Sequence, residues 1–321
     1  RGHRVVFYEP DAYDRQAHRD LGAVDWASVV VYRPEECEAA LDSARGADVV
    51  VKASGVGVLD AELEAAVLEL GAPLTVFWDV DAPATLARLE ADPAEPLRAL
   101  VPRFDLVATY GGGDPVVRRY RALGARDCVP VYNALDPRTH HPVAADPRFH
   151  ADLGFLGNRL PDREARVEEL FLRAAREAPR RSFLLGGAGW DDRRLPANVR
   201  PLGHVGTADH NAFNSTPLAV LNVTRASMAA NGWSPPTRVF EAAGAGACLV
   251  TDAWEGIELF LEPGREVLVA RDGGEVAALL DELTPEHARA IGTRARRRIL
   301  REHTYERRAL QVDRALGLVP A

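Results

Sequence analysis

The segment PPTRVFEAAGAGACLVTD (235–252) sets one carboxylate, Glu241, among apolar and small residues, where an unpaired charge is costly. Two prolines precede a short helical stretch, and Ala242, Ala243, Gly244 and Gly246 let that helix approach a neighbouring backbone or a ligand closely. A ribose offers two hydroxyl donors and a carboxylate can accept both, so Glu241 is a candidate ribose ligand. A glutamate satisfied by backbone amides at a helix start is the alternative. Just upstream, LNVTRASMAANGWSPPTRVFE (221–241) places Arg225 beyond a strand and Arg238 at a helix start. Both would face the crevice at the carboxyl ends of the strands, where open α/β sheets bind ligands. Two guanidinium groups there suit a pyrophosphate, although a solvated surface is the commoner place for either one alone. DAWEGIEL (252–259) adds the amides of Gly256 and Ile257 and the carboxylate of Glu258 after a further strand.

Two glycine-containing turns extend this set. FLGNRLPDREARVEEL (155–170) runs from a strand through Gly157 into a helix, with Asn158 and Arg159 beside the free amides of the helix start. Such a start is an anion site in any βα unit. SFLLGGAGW (182–190) opens into Gly186, Gly187 and Gly189 without the G-x-G-x-x-G spacing of a dinucleotide fold. Those glycines serve either a backbone surface for a flat base or a tight turn. His204 joins the same donor-side set. His140 and His141 precede Pro142 and count as metal ligands only if further carboxylates or cysteines lie nearby, so no metal is expected.

The elements that must position these residues follow a βα rhythm. VVFYE (5–9), SVVVY (28–32), ADVVVKAS (47–54), LTVFWDV (74–80), DLVATY (105–110) and CVPVY (128–132) read as strands. Most are continuous apolar runs, the pattern of parallel strands buried on both faces. AELEAAVLELG (61–71) has helical spacing and a glycine stop. The rhythm then repeats through ADLGFLG (151–157), a helix from about Asp162 to Ala178, SFLLGG (182–187), LAVLNV (218–223), ACLVT (247–251) and EVLVA (266–270). The segment 131–150 holds three prolines and no period, and reads as an interdomain linker. The expected fold is α/β, two doubly wound Rossmann-like domains over 1–135 and 136–321, with an arginine-rich C-terminal helix returning to the first. RGHRVVFYE reads as a helix end, a turn and a second strand, so the first βα unit of the N-terminal sheet is expected to be missing from this sequence.

Composition removes several function classes. A length of 321 residues suits two domains, and 47% hydrophobic with 27% charged residues is ordinary for a globular chain. A net charge of −8 argues against a nucleic-acid backbone binder. Cys37, Cys128 and Cys248 are far apart and lack neighbouring histidines, which fits a reducing, cytoplasmic setting rather than a disulfide framework. No apolar run approaches the roughly 20 residues of a membrane helix.

VYNALD with its proline-rich continuation, FLGNRLPDRE, RVFEAAGAGACLVTD and GIELFLEPGREVLVARD together resemble the GT-B glycosyltransferases, closest to the CgeB-like group named from spore-maturation proteins. VVFYE, WDVDAP and TYGGGDP extend the likeness into the first half. The resemblance implies two Rossmann-like domains facing a cleft, a nucleoside-diphosphate sugar as substrate, and neither cofactor nor essential metal. Retaining members often carry two glutamates eight positions apart; Glu241 matches the second, but the first position is Trp233, which leaves the stereochemistry open. WDVDAP (78–83) resembles by position the loop that contributes a sugar-contacting or basic group, making Asp79 and Asp81 candidates for acceptor activation. A helix N-cap is the alternative for Asp81. His18, Arg19 and Asp20, or the KASGVG turn (52–57), are further candidates to line an acceptor pocket. Arg159, Arg225 or Arg238 would offset the developing diphosphate charge. A sugar-nucleotide-binding protein without catalysis, or a sugar-nucleotide epimerase, shares the same fold.

Overall fold

A computed structural model describes residues 2–14, 16 and 24–319. His18, Arg19 and Asp20 lie outside them. The chain divides into two compact units, one of residues up to Val131 together with Gln311 onward, the other Tyr132–Leu310.

The first unit holds β1 (Val6–Pro10), β2 (Ser28–Tyr32), β3 (Val49–Ala53), β4 (Leu74–Asp79), β5 (Leu106–Thr109) and β6 (Cys128–Pro130). All pair in parallel, but as two sheets: β1 with β2, and β3-β4-β5-β6. Alternation along β4 and β5 sends Phe77 and Val107 to a core with Leu86, Phe104 and Tyr120, and Val76 and Leu106 to the other face. There they meet Val312, Ala315 and Leu316 from the end of the last helix, where Gln311 Nε2 donates to the Pro130 carbonyl at 2.8 Å. The valine runs at the start of the chain behave differently from the expectation of full burial. Val29, Val30 and Val31 of β2 and Val51 of β3 are exposed. The two-stranded sheet of β2 has too few neighbours to cover both of its faces, and β3 is the edge strand of its sheet, so a continuous apolar run does not by itself ensure burial.

The second unit is a six-stranded, all-parallel sheet. It comprises β7 (Leu153–Leu156), β8 (Phe183–Gly186), β9 (Val199–Gly203), β10 (Ala219–Asn222), β11 (Leu249–Asp252) and β12 (Leu268–Ala270). Its order is β12-β11-β10-β7-β8-β9, the doubly wound arrangement with its switch point between β7 and β10. The sequence pattern misses β9, because VRPLG is short, partly exposed and carries Pro201 on a sheet edge. One face packs Phe155, Phe171 and Phe183 in tilted and edge-on contacts, with ring centroids 5.5–5.7 Å apart. The other packs Val220 and Leu249 against Val239, Phe240 and Ile299. The helix expected from Asp162 begins at Pro161 and passes through a π-helical turn at Glu168–Leu172 before ending at Glu177.

The segment 131–150, read from sequence as a linker, is anchored on this second unit. Leu135 is buried, its amide donates to the His303 carbonyl at 2.8 Å, and its carbonyl accepts from Tyr305 N at 3.0 Å. Its side chain fills the space a Cβ on Gly244 would need, and Gly292 lets the helix Pro285–Glu302 cross close to Gly246. The small residues after Glu241 therefore serve backbone approach within the protein.

Buried His303 packs on Phe240 and Phe260 and accepts at Nδ1 from Arg308 at 3.0 Å. Burial, reinforced by the Arg308 charge, pushes its pKa down to about 4. Because the unfolded chain binds this proton first, stability is full above the unfolded value near pH 6.5 and declines as pH falls through about 4. Denaturant midpoints across that window should reveal a loss of about 3 kcal/mol, absent in a His303→Gln variant compared with its own neutral-pH midpoint.

Candidate active site

At the carboxyl end of the second sheet, buried Asp252 ends β11 and accepts at Oδ1 from both the amide and the hydroxyl of Thr224, each at 2.9 Å. Arg166 braces the same loop, donating through Nε to the Thr224 carbonyl at 3.0 Å and pairing with Asp252. The loop after β10 is thereby held, and it delivers Arg225, whose Nε donates to Asp162 Oδ2 at 2.8 Å. Arg225 consequently lies beside the start of the helix that follows β7, across the switch point.

The loops after β7 and β8 are tied to each other. Asn158 Oδ1 accepts from Ala188 N at 2.9 Å, Arg159 N donates to the Ala188 carbonyl at 2.9 Å, and Gly157 N donates to the Gly186 carbonyl at 2.9 Å. Gly187, at φ 119°, has no room for a side chain, since a Cβ would run into the Gly157 carbonyl and approach Asn158 N to 2.9 Å. Gly187 is thus required for one loop to pass over another, while a Cβ on Gly186 would run into the Leu156 and Val205 side chains, so both positions need glycine for packing within the protein. Arg159 also departs from its expected part: its guanidinium pairs with Glu164 at 2.8 Å and Asp192 at 2.7 Å, which neutralise it before any anion arrives.

The cation that sequence reasoning missed is Arg163, one turn into the helix. It covers the Phe155 ring at 5.9 Å and donates to the Asn158 carbonyl, but its buried Nε has no partner. Burial, then the charges of Arg238 and Arg225, lower its pKa. Arg238, at the start of the helix Thr237–Gly244, is in the same condition: Nη1 is buried without a hydrogen-bond partner, and burial lowers its pKa against the favourable charge of Glu241. Two adjacent guanidinium groups with buried, unsatisfied N–H groups call for an anion. The second arginine in FLGNRLPDRE was the available signal, since position 163 falls on the first helical turn.

Glu241 follows Arg238 by one helical turn, and its carboxylate accepts no hydrogen bond from the described residues. It is not a glutamate satisfied by backbone amides. Gly256 (φ 98°) turns the chain into the short helix Ile257–Leu259, with the Ile257 side chain buried and Glu258 exposed. Trp233, in the place of a first glutamate, has a left-handed backbone (φ 42°), donates its amide to the Glu255 carbonyl at 2.6 Å and lays its ring on Gly256. His204, just past β9, is exposed. His140 lies with His210 and Glu241, so the histidine of the irregular segment does have a carboxylate beside it.

In the first unit Asp79 and Asp81 separate in character. Asp79 is wholly buried; Oδ1 accepts from Ser54 Oγ at 2.8 Å, Thr85 Oγ1 at 2.9 Å and Asp81 N at 3.2 Å, while Oδ2 accepts from the Tyr120 hydroxyl. A carboxylate so enclosed has no lone pair directed at an acceptor, which corrects its candidacy as a base. Its bond to Ser54 instead joins the KASGVG turn to the WDVDAP loop, and Ser54 Oγ also accepts from Val80 N at 2.9 Å. Asp81 occupies the N-cap position of the helix Ala82–Ala91, yet its exposed side chain makes no cap hydrogen bond. Its carboxylate is available.

Residues 163–314 match the family described as glycosyl transferase-like. No curated relative matches the chain. Among solved structures, sucrose-phosphate synthase from Thermosynechococcus elongatus superposes with a TM-score of 0.73 at 14% identity, covering 99% of this chain and 89% of that one. HepE from Anabaena, in complex with UDP and glucose, gives 0.68 at 13% identity over 98% of this chain and all of the other. The lipopolysaccharide outer core galactosyltransferase WaaB gives 0.58 at 12% identity, over 94% and 88%. The fold is that of the GT-B glycosyltransferases. No helix among the described residues is long and apolar enough to cross a membrane.

Proposed function

We propose that this protein is a GT-B glycosyltransferase of the CgeB-like group, moving a sugar from a nucleoside-diphosphate donor to a hydroxyl acceptor. The observation that supports this most is the Arg163–Arg238 pair, both partly buried and close enough for their charges to interact, each with one buried, unsatisfied N–H, and Arg238 one helical turn from the free carboxylate of Glu241. A diphosphate satisfies the two guanidinium groups, and a ribose presents hydroxyl donors to Glu241. The solved HepE complexes hold UDP and UDP-glucose, which makes UDP-sugars the first donors to test. In the transfer step the acceptor oxygen bonds to the anomeric carbon while the bond from that carbon to the β-phosphate oxygen breaks. Negative charge grows on the leaving diphosphate, where Arg163, Arg238 and Arg225 act as fixed positive partners in place of a metal ion. Asp81 takes the acceptor proton, and Asp79 positions the loop that carries Asp81.

Calorimetry with free nucleoside diphosphates and assay of donor turnover test this reading. Glu241→Ala should weaken nucleotide binding about ten- to a hundredfold, the worth of a charge-assisted hydrogen bond. Asp81→Asn should lower turnover by about a hundredfold or more with nucleotide affinity unchanged. Nucleotide binding that is lost in Glu241→Ala, with neither transfer nor donor hydrolysis in the parent, would instead assign a sugar-nucleotide-binding protein. Equal affinity of Glu241→Ala and its parent for every nucleotide tested would remove the donor site from this place.

A further inference from the structure

His140, His210 and Glu241 reach one point from three separate parts of the second unit: the irregular segment before β7, the helix His210–Ser215 and the helix Thr237–Gly244. One ligand-capable atom of each lies within 4.8 Å of those of the other two, and all three side chains are partly buried. Each imidazole has a protein partner on one ring nitrogen only. Thr139 Oγ1 lies 2.9 Å from His140 Nδ1, and the Val205 carbonyl lies 3.3 Å from His210 Nε2. A partner on one nitrogen fixes the ring's orientation and tautomer and leaves a lone pair on the other. Glu241 supplies a carboxylate with no hydrogen bond of its own from the described residues.

Two imidazoles and one carboxylate with an open further position form a donor set for a borderline transition dication, and a poor one for Mg²⁺, which prefers oxygen ligands throughout. We propose that His140, His210 and Glu241 bind a dication of the Zn²⁺ type, and that the ion and the donor ribose compete for Glu241, so that the metal acts as a reversible inhibitor. The second half rests on the donor role of Glu241 given above; the first half does not. Arg238 sits close enough for its charge to act on both His210 and Glu241, and it opposes a second cation there. Three protein ligands, rather than the four of a closed structural zinc site, leave a position at which a nucleotide can contest the ion.

The experiment begins with chelator-treated protein titrated with Co²⁺. The expected result is the intense visible d–d absorption of low-coordinate Co²⁺, saturating at one ion per chain, displaced by Zn²⁺ and unaffected by Mg²⁺. His140→Ala and His210→Ala should abolish it, and Glu241→Gln, which keeps the shape and loses the charge, should weaken Co²⁺ binding by about tenfold or more. Thermal melting verifies that each variant is folded. UDP, GDP, dTDP, ADP and CDP are then titrated with and without one equivalent of Zn²⁺. The nucleotide that binds should bind the parent about tenfold or more weakly with the ion, and His210→Ala equally with or without it. Chelation of Zn²⁺ by free nucleotide is common to both proteins and cancels in that comparison. Absence of the Co²⁺ band, or its survival in folded His140→Ala and His210→Ala, overturns the metal site and leaves the donor reading intact. A metal site that forms while nucleotide affinity stays unchanged overturns the competition, and with it the assignment of Glu241 to the ribose.

Discussion

Replacing Arg238 with methionine should lower turnover by about a hundred- to a thousandfold while leaving the nucleotide-free protein more stable than its parent. The two effects have one cause. A guanidinium whose Nη1 is buried without a partner, beside a second such group on Arg163, carries a desolvation cost that no carboxylate nearby fully offsets. Methionine fills comparable volume without the charge, and substitutions of this kind at poorly paired buried ions are neutral or stabilising by about 1–4 kcal/mol. With donor bound, the same charge faces a diphosphate that becomes more negative as the sugar departs, so its loss is felt most in the transition state. Denaturant unfolding without ligand, paired with steady-state turnover of the donor identified by calorimetry, tests both arms. A variant that loses stability and retains turnover would show that Arg238 is structural, and the diphosphate site would have to be sought elsewhere.

Asp79→Ala should cost about 3–5 kcal/mol of stability, because it strands the hydroxyls of Ser54, Thr85 and Tyr120 in a site closed to water. The Tyr120 hydroxyl has no alternative: burial, then the Asp79 charge, raises its pKa, so it stays a donor that needs an acceptor. Asp79→Asn should be milder, retaining one acceptor oxygen while directing an N–H toward groups that themselves donate. Asp81→Asn should leave the unfolding midpoint where it was, since the Asp81 side chain is exposed and makes no cap bond. Chemical denaturation of the three variants separates the two aspartates. Equal, small losses for both would contradict the enclosed geometry of Asp79.

Sequence periodicity was enough to locate eleven of the twelve strands among the described residues and the parallel βα rhythm of both units, because a parallel strand advertises itself locally as a short apolar run between turn residues. Strand order is set by tertiary pairing, and only the second sheet has the doubly wound order expected of both. Periodicity failed at β9, where an edge strand needs neither continuous hydrophobicity nor freedom from proline, and at Val29–Val31, where an apolar run lies exposed on a two-stranded sheet. The chemical character of Glu241, Arg225 and Arg238 was also local, since a carboxylate among small residues and arginines beyond strand ends are visible in the chain itself. What each charge is free to do was decided by tertiary structure. Arg159 and Arg163 are equally plausible in FLGNRLPDRE, yet Asp192 and Glu164 neutralise the first, while the second keeps a buried N–H without a partner. Asp79 and Asp81 stand two residues apart, and only the arrival of Ser54, Thr85 and Tyr120 makes one a buried support and leaves the other available. His140 meets His210 and Glu241 because the segment before β7 is held on the second unit, by Leu135 and by Asn211 Nδ2 donating to the Thr139 carbonyl beside His140. The backbone carries its own hydrogen-bonding rules along the chain, whereas the protonation, pairing and ligand capacity of a side chain depend on neighbours that only folding brings within a few ångströms.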